Sequence, residues 1–259
     1  MIRSQTLKSG ILLAHYLFPI ALGLSISLVM QRATGEPLST AGMALFLAGI
    51  GAAYSLDRLM DQPADGYPRW LWLALAAAFI ISISAGLMAV IHLPIQTIAA
   101  VLVFAFASLL YRRLKLYPMA KTILVAVVWT WAGAALPIHS HRWAAWDWWS
   151  LSVCWPLVLL MAAGCILCDL KDAEADRQLG VRSLPVVLGA GNAIYIAGTL
   201  ALLGATLAWT EGRVGLCYSG VLLLAVTQFR PVLSRPAIGP LLVDAILSLP
   251  GFLILTHVI

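Results

Sequence analysis

Residues 169–180 read DLKDAEADRQLG. Half of these residues are charged, in a chain of 259 residues that is 62% hydrophobic and only 10% charged. Soluble domains average about 45–50% apolar and about 25% charged residues. This chain therefore has too little polar surface to cover a water-facing globule, and it reads as an integral membrane protein. The charged stretch follows directly on an apolar run, residues 148–168. A run of that length matches one bilayer crossing, which takes roughly 20 apolar residues as a helix. The stretch is thus expected at the membrane surface, where a helix ends.

Working outward, eight more apolar runs lie at about 10–31, 39–56, 70–92, 95–111, 119–138, 190–210, 214–229 and 238–258. The first is longer than a signal-peptide core and is read as a retained helix. Inside a bilayer every backbone group must be satisfied internally, so runs of this length imply helices. The expected fold is all-α: a polytopic bundle of nine transmembrane helices around a central cavity. It forms a single domain, 1–259, with two four-helix halves at about 10–138 and 148–258, the second carrying the ninth helix.

Charge placement supports that count. Arg3, Lys8, Arg58, Arg69, Arg112, Arg113, Lys115, Lys121, Lys171, Arg177, Arg182, Arg230 and Arg235 fall on one side of the alternating loops. Only Arg32, Arg142 and Arg213 fall on the other. The positive-inside rule then puts the N-terminus and the charged loops in the cytoplasm and the C-terminus outside. The membrane expected is a bacterial-type plasma membrane or a related organelle membrane. The net charge of +5 reports topology and is no sign of nucleic-acid binding. Cys154, Cys165, Cys168 and Cys217 all fall in or at the ends of predicted helices. The CxxC at Cys165 and Cys168 has no second pair, so these read as small packing residues.

The acids need a different cause, because carboxylates contribute little to topology. Asp169, Asp172 and Asp176 are spaced i, i+3, i+7, one face of a helix continuing out of the membrane. A second cluster, YSLDRLMDQPAD at 54–65, holds Asp57 and Asp61 at i, i+4, with Asp65 beyond the helix breaker Pro63. Four predicted helices separate the clusters, so both face the same side. Stacking like charges on a helix face is unfavourable, and desolvating them near a bilayer is more so. A divalent cation would offset both. Mg²⁺ takes oxygen ligands, usually one or two carboxylates together with waters and substrate phosphates. Two facing carboxylate patches would suit Mg²⁺ ions bridged by a diphosphate, with Lys115 and Lys121 as point charges for its oxygens. The plainer alternative is a solvated loop whose acids and bases pair. Asp244, in LLVDAILSLP, lies within the last helix. An ionisable group there is either functional or a protonated acid bonded to a neighbouring helix.

These residues resemble the UbiA superfamily of intramembrane prenyltransferases. The second cluster matches the family's DxxDxxxDxxxG with Asp169, Asp172, Asp176 and Gly180, then Ser183-Leu184-Pro185 and Leu188-Gly189. YRRLKLYPMAK at 111–121 is similar to its Tyr-x-x-Leu-Lys followed by a second lysine. The first cluster departs from the family's NDxxDxxxD: Asp57-Arg58 and Asp61 fit, but Ala53 and Tyr54 stand where Asn and Asp are expected. Cys168 replaces the Asn that usually precedes the second motif.

The resemblance implies transfer of a prenyl group from a prenyl diphosphate to an aromatic, quinone-precursor or other lipid acceptor within the membrane. It implies Mg²⁺ held by Asp57, Asp61, Asp65, Asp169, Asp172 and Asp176. Arg58, Tyr111, Lys115, Lys121, Lys171, Arg177 and Asp244 would then contact substrate. Mg²⁺ and lysines would stabilise charge growing on the leaving diphosphate. A dry apolar cavity would protect the allylic cation from water, with Trp129, Trp131 and Tyr111 as candidate cation-facing rings. Trp143, Trp146, Trp148 and Trp149 read as an interfacial belt. Two other functions stay open: a prenyl-diphosphate cyclase or a catalytically altered binding homologue, and a transporter, which would more often carry its acids near the midplane.

Overall fold

Each predicted apolar run coincides with a helix in the computed structural model, which describes residues 2–60, 69–114, 116–137, 152–236 and 238–258. Among them the chain is all-helical. The long helices are α1 (Ile2–Thr34), α2 (Thr40–Met60), α3 (Arg69–Val90), α4 (Ile95–Leu114), α5 (Ala120–Ala135), α6 (Cys154–Asp169), α8 (Leu184–Thr210), α9 (Val214–Val226) and α11 (Gly239–Leu255). Two short helices lie in the connections, α7 (Ala173–Gln178) and α10 (Arg230–Leu233). The predicted belt at Trp143, Trp146, Trp148 and Trp149 lies outside the described residues.

Length and composition suit four stretches to crossing a membrane: Leu17–Thr34, Thr40–Met60, Arg69–Val90 and Leu184–Thr210. Ala120–Ala134, Cys154–Asp169, Val214–Val226 and Gly239–Leu255 are shorter apolar helices. Nine crossings therefore remain an expectation of the sequence. The exposed surface points the same way. On α3, Trp70, Leu73, Ile80, Ile81, Leu87 and Met88 are each at least half exposed. A contiguous apolar face of that kind is a liability in water and is at home against lipid.

Two helix boundaries and one kink depart from the sequence reading. Helix α8 starts at Leu184, ahead of the predicted 190, because Ser183 is extended (ψ 157°) and Pro185 suits a helix's first turn. It kinks at Gly189, whose φ of 79° and ψ of 154° only glycine adopts without strain. Helix α6 ends at Asp169, and Leu170–Asp172 form turns before α7. The expected single helix through all three aspartates is therefore broken. The Asp172 N–H donates to the Asp169 carbonyl (3.1 Å), a tightened three-residue bond in place of a four-residue one.

Small residues let these helices approach closely, as membrane bundles require. Ala193, Ala197, Ala201, Ala205 and Ala208 form a buried stripe along α8. A Cβ placed on Gly220 of α9 would lie 2.7 Å from the Ala205 Cβ and 2.8 Å from the Ala201 carbonyl oxygen. Gly204 sets α8 as closely on α6, where a Cβ would meet Leu160 at 2.9 Å.

A proline frees backbone groups that other helices then satisfy. Pro250 in α11 has no N–H for the Ile246 carbonyl one turn back. The Ser219 hydroxyl of α9 donates to that carbonyl instead, at 2.7 Å and fully buried. The next N–H, that of Gly251, donates to Ser25 Oγ of α1 at 2.8 Å. A Cβ at Gly251 would lie 2.4 Å from the Ser25 Cα, so α1 and α11 touch backbone to backbone there.

These contacts fix helix directions. A Cβ on Gly42, at the start of α2, would lie 1.8 Å from the Leu136 carbonyl oxygen just past α5. The Ser39 N–H donates to the Pro137 carbonyl at 2.7 Å. So α2 and α5 run antiparallel, and the end of α2 lies at the same end of the bundle as the start of α5. Val243 and Leu247 of α11 lie within 3.1 Å of a Cβ placed on Gly164 of α6. The last turns of α6 thus run beside the first turns of α11.

Candidate functional site

Lys121 lies in the first turn of α5 and reaches the end of α6. Its Nζ is 2.6 Å from Asp169 Oδ1 and 3.9 Å from Asp176 Oδ2. Asp169 is 3% exposed and Asp176 8%, so the cluster is buried. Sequence separation hides this meeting, because the lysine and the first aspartate belong to different helices.

The turn after α6 decides which aspartates face inward. Asp169 closes α6, and Asp176 comes from α7 after the bend. Asp172 turns away: its Oδ2 pairs with Lys171 Nζ at 2.6 Å, and its side chain is 42% exposed. Arg177 pairs with Glu174 on the exposed face of α7. Gly180 ends α7 with φ 71°. Its N–H donates to the Arg177 carbonyl (3.3 Å) and the Val181 N–H to the Asp176 carbonyl (2.8 Å). This pair of bonds is a Schellman closure, which requires a left-handed residue at the glycine position. Gly180→Ala is accordingly expected to lower stability by about 1 kcal/mol and to loosen the turn holding Asp176. A melting curve of the detergent-solubilised protein would show it, and an unchanged midpoint would refute it.

The first cluster is only partly described. Asp57 and Arg58 sit in the last turn of α2, with Arg58 half-buried; Asp61 and Asp65 lie outside the described residues. By the helix directions above, the end of α2 and Lys121 occupy the same end of the bundle. Tyr111 lies near the end of α4, and Lys115 is outside the described residues. Tyr54 packs with the apolar cluster of Phe46, Ile50 and Leu136, so a ring stands where a carboxylate was expected. Ala53 is exposed. Trp131 is buried in the main core, and Trp129 packs edge-on against Phe46 with ring centres 6.2 Å apart.

Asp244 is half-buried and lies five residues after the first residue of α11. It thus sits about 7–8 Å into its helix at 1.5 Å per residue, beside the last turns of α6, which end at Asp169. Thr122 was missed by the sequence reading. Its side chain is buried and follows Lys121 in the sequence, and that adjacency was the only signal for it.

The carboxylates suit a divalent cation. Asp169 Oδ2 and Asp176 Oδ2 are buried and accept no hydrogen bond among the described residues. Such oxygens are costly unless a donor or cation meets them. Among the described residues, no three His, Cys, Asp or Glu side chains gather to hold an ion by themselves. Two carboxylates with phosphate oxygens are the usual Mg²⁺ arrangement, so the donor set fits Mg²⁺ in company with a phosphate ligand.

Solved structures share this fold. A UbiA homologue from Archaeoglobus fulgidus, solved with GPP and Mg²⁺, aligns over 93% of this chain and 99% of its own, at TM-score 0.56 and 17% identity. The apo UbiA homologue from Aeropyrum pernix K1 aligns over 95% and 98%, at TM-score 0.56 and 18% identity. The Archaeoglobus fulgidus homologue was also solved with DMAPP and Mg²⁺, at TM-score 0.52. No family model and no curated protein matches the sequence. The chain has the fold of these UbiA homologues.

Proposed function

We propose that this chain is a member of the UbiA superfamily that uses Mg²⁺ to transfer a prenyl group from a prenyl diphosphate to an aromatic or other lipid acceptor within the membrane. The observation that carries the reading is the buried group of Lys121, Asp169 and Asp176, placed at a helix end in a fold whose solved homologues include complexes with GPP or DMAPP and Mg²⁺. Acceptors of the quinone-precursor kind fit the same reading, with the site facing the cytoplasm and one domain built of two halves.

In this reading Asp169 and Asp176 would hold Mg²⁺, with Asp172 joining them once Lys171 releases it. Asp57, Asp61 and Asp65, the first acidic cluster of the sequence, would supply further Mg²⁺ ligands. Bound Mg²⁺ supplies Lewis-acid stabilisation of the charge that develops on the departing diphosphate. Lys121 and Lys115 neutralise diphosphate oxygens, Tyr111 and Arg58 orient the donor, and Lys171 and Arg177 screen the entrance. The apolar interior keeps water from the reacting carbon. Asp244, beside the last turns of α6, accepts a hydrogen bond from the acceptor's polar head.

A second reading has its own support. Ala53 and Tyr54 offer no carboxylate or amide in α2, which favours a cyclase or a binder with altered chemistry. The test for both is incubation of the protein in liposomes with labelled prenyl diphosphates, with and without aromatic acceptors. Diphosphate release is expected to vanish on chelation, return with Mg²⁺, and yield a prenylated acceptor. Asp244→Asn is expected to raise KM for the acceptor several-fold, the scale of one hydrogen bond, without changing KM for the donor. Release without acceptor, giving a cyclic hydrocarbon, would establish the second reading. No release from any prenyl diphosphate, with none of the labelled diphosphates retained by the protein either, would sink both.

A further inference from the structure

The described cluster already contains a cation. The Lys121 ammonium lies 2.6 Å from Asp169 and 3.9 Å from Asp176, against the same two carboxylates a metal would use. We infer that Lys121 stands in for the divalent cation, so that the site rejects the bare metal and takes it only together with a diphosphate. The inference rests on reading this as a diphosphate site.

Three observations support it. Both carboxylates that a metal would use lie within reach of an ammonium group, so a dication entering alone meets like charge at close range. Among the described residues no third acidic or imidazole ligand is gathered to compensate, since Asp172 is held by Lys171 at 2.6 Å. Among the described residues Asp169 Oδ2 has no hydrogen-bond partner and Asp176 Oδ2 has only the 3.9 Å approach of Lys121, so both can still take a second positive partner. A diphosphate resolves the conflict because its oxygens can accept both the dication and the displaced ammonium. Lysine suits that exchange, being a compact charge on a four-carbon stem. Lys121 also lies one residue inside the helix start, next to a left-handed Met119 (φ 63°), so no preceding helical turn confines its stem. Metal and diphosphate then tighten each other's binding by the same factor, as linkage requires.

The test uses the full chain in detergent, with Mn²⁺ alone as the first probe, titrated by the paramagnetic resonance signal of the free ion. The wild type is expected to bind Mn²⁺ weakly, and Lys121→Met at least about tenfold more tightly, within the range of ordinary coupling between sites. Lys121→Arg, which keeps the charge, is expected to bind no more tightly than wild type. Adding Asp169→Asn to Lys121→Met should erase the gain. A Lys121→Met protein with native melting behaviour that binds Mn²⁺ no more tightly than wild type overturns the inference.

The second probe is independent of that variant's folding. Dialysis of the wild type against labelled inorganic diphosphate, with and without Mn²⁺, should show each probe retained at least about tenfold better in the other's presence. Strong retention of Mn²⁺ alone, matching that with diphosphate, also overturns it while leaving the prenyltransferase reading intact. Failure of diphosphate to bind under any condition removes the reading beneath it.

Discussion

Asp169→Asn is expected to slow prenyl-diphosphate ionisation by at least about a hundredfold, the scale on which single groups that stabilise transition-state charge act. The side chain is 3% exposed and closes α6, and it carries the shortest contact to Lys121. Asparagine keeps its size and the local backbone but removes the charge that would hold a cation. Lys121 keeps Asp176 within reach at 3.9 Å, so the half-buried ammonium retains an acidic neighbour. Asp172→Asn is the internal comparison. Its carboxylate is 42% exposed and already paired with Lys171, so its loss is expected to slow release less than that of Asp169. Rates of diphosphate release, measured beside melting curves, decide the matter. Equal effects at both positions, or a fully active Asp169→Asn, would refute this assignment.

Gly220→Ile is the substitution expected to cost most in stability. A mere Cβ at this position would already lie 2.7 Å from the Ala205 Cβ and 2.8 Å from the Ala201 carbonyl oxygen. Neither neighbour has a flexible end to move aside, so the whole of α9 must shift away from α8. Overfilling a tight core typically costs about 1–3 kcal/mol. This one also strains a second contact, because α9 carries Ser219, whose hydroxyl satisfies the Ile246 carbonyl left open by Pro250. Leaving a buried carbonyl unmet adds about 1–3 kcal/mol. A loss of about 3 kcal/mol is expected, read from denaturation in mixed micelles. Gly212→Ala, at a loop glycine with open space around it, serves as a comparison dominated by its positive φ of 68°. A Gly220→Ile protein as stable as wild type would show that α9 is not seated on α8 this closely.

The helices were legible because apolar length is a strong signal, and each run found its helix. Their ends were less so. The start of α8 at Leu184 depended on a cap and a proline lying outside the apolar run. The break after Asp169 depended on turn hydrogen bonds that the spacing of three aspartates does not reveal. That spacing suggested one shared face; the bend instead turns Asp169 and Asp176 inward and leaves Asp172 on Lys171. The cationic character of the 111–121 loop is plain in the sequence, yet which lysine meets which acid depends on α5 packing against α6. The position of Asp244 near the start of the last apolar run was legible, but its neighbourhood with the last turns of α6 depends on how α11 packs. The departure at Ala53 and Tyr54 was visible in the sequence, but only the structure shows Tyr54 committed to an apolar cluster.

The bond from Gly251 to Ser25 also bears on how the molecule is made. It joins residues 226 positions apart, the first helix to the last one described. At about 5–20 residues per second of synthesis, roughly ten to forty-five seconds separate the appearance of the two. During that interval the serine hydroxyl on α1 has no glycine N–H to receive and its face of the helix has no final neighbour. Among the described helices, the seam of α1 and α11 is therefore the one whose partners appear furthest apart in time. A ribosome that stalls before Gly251 leaves an inserted but unsealed protein, the form that membrane quality control is built to remove.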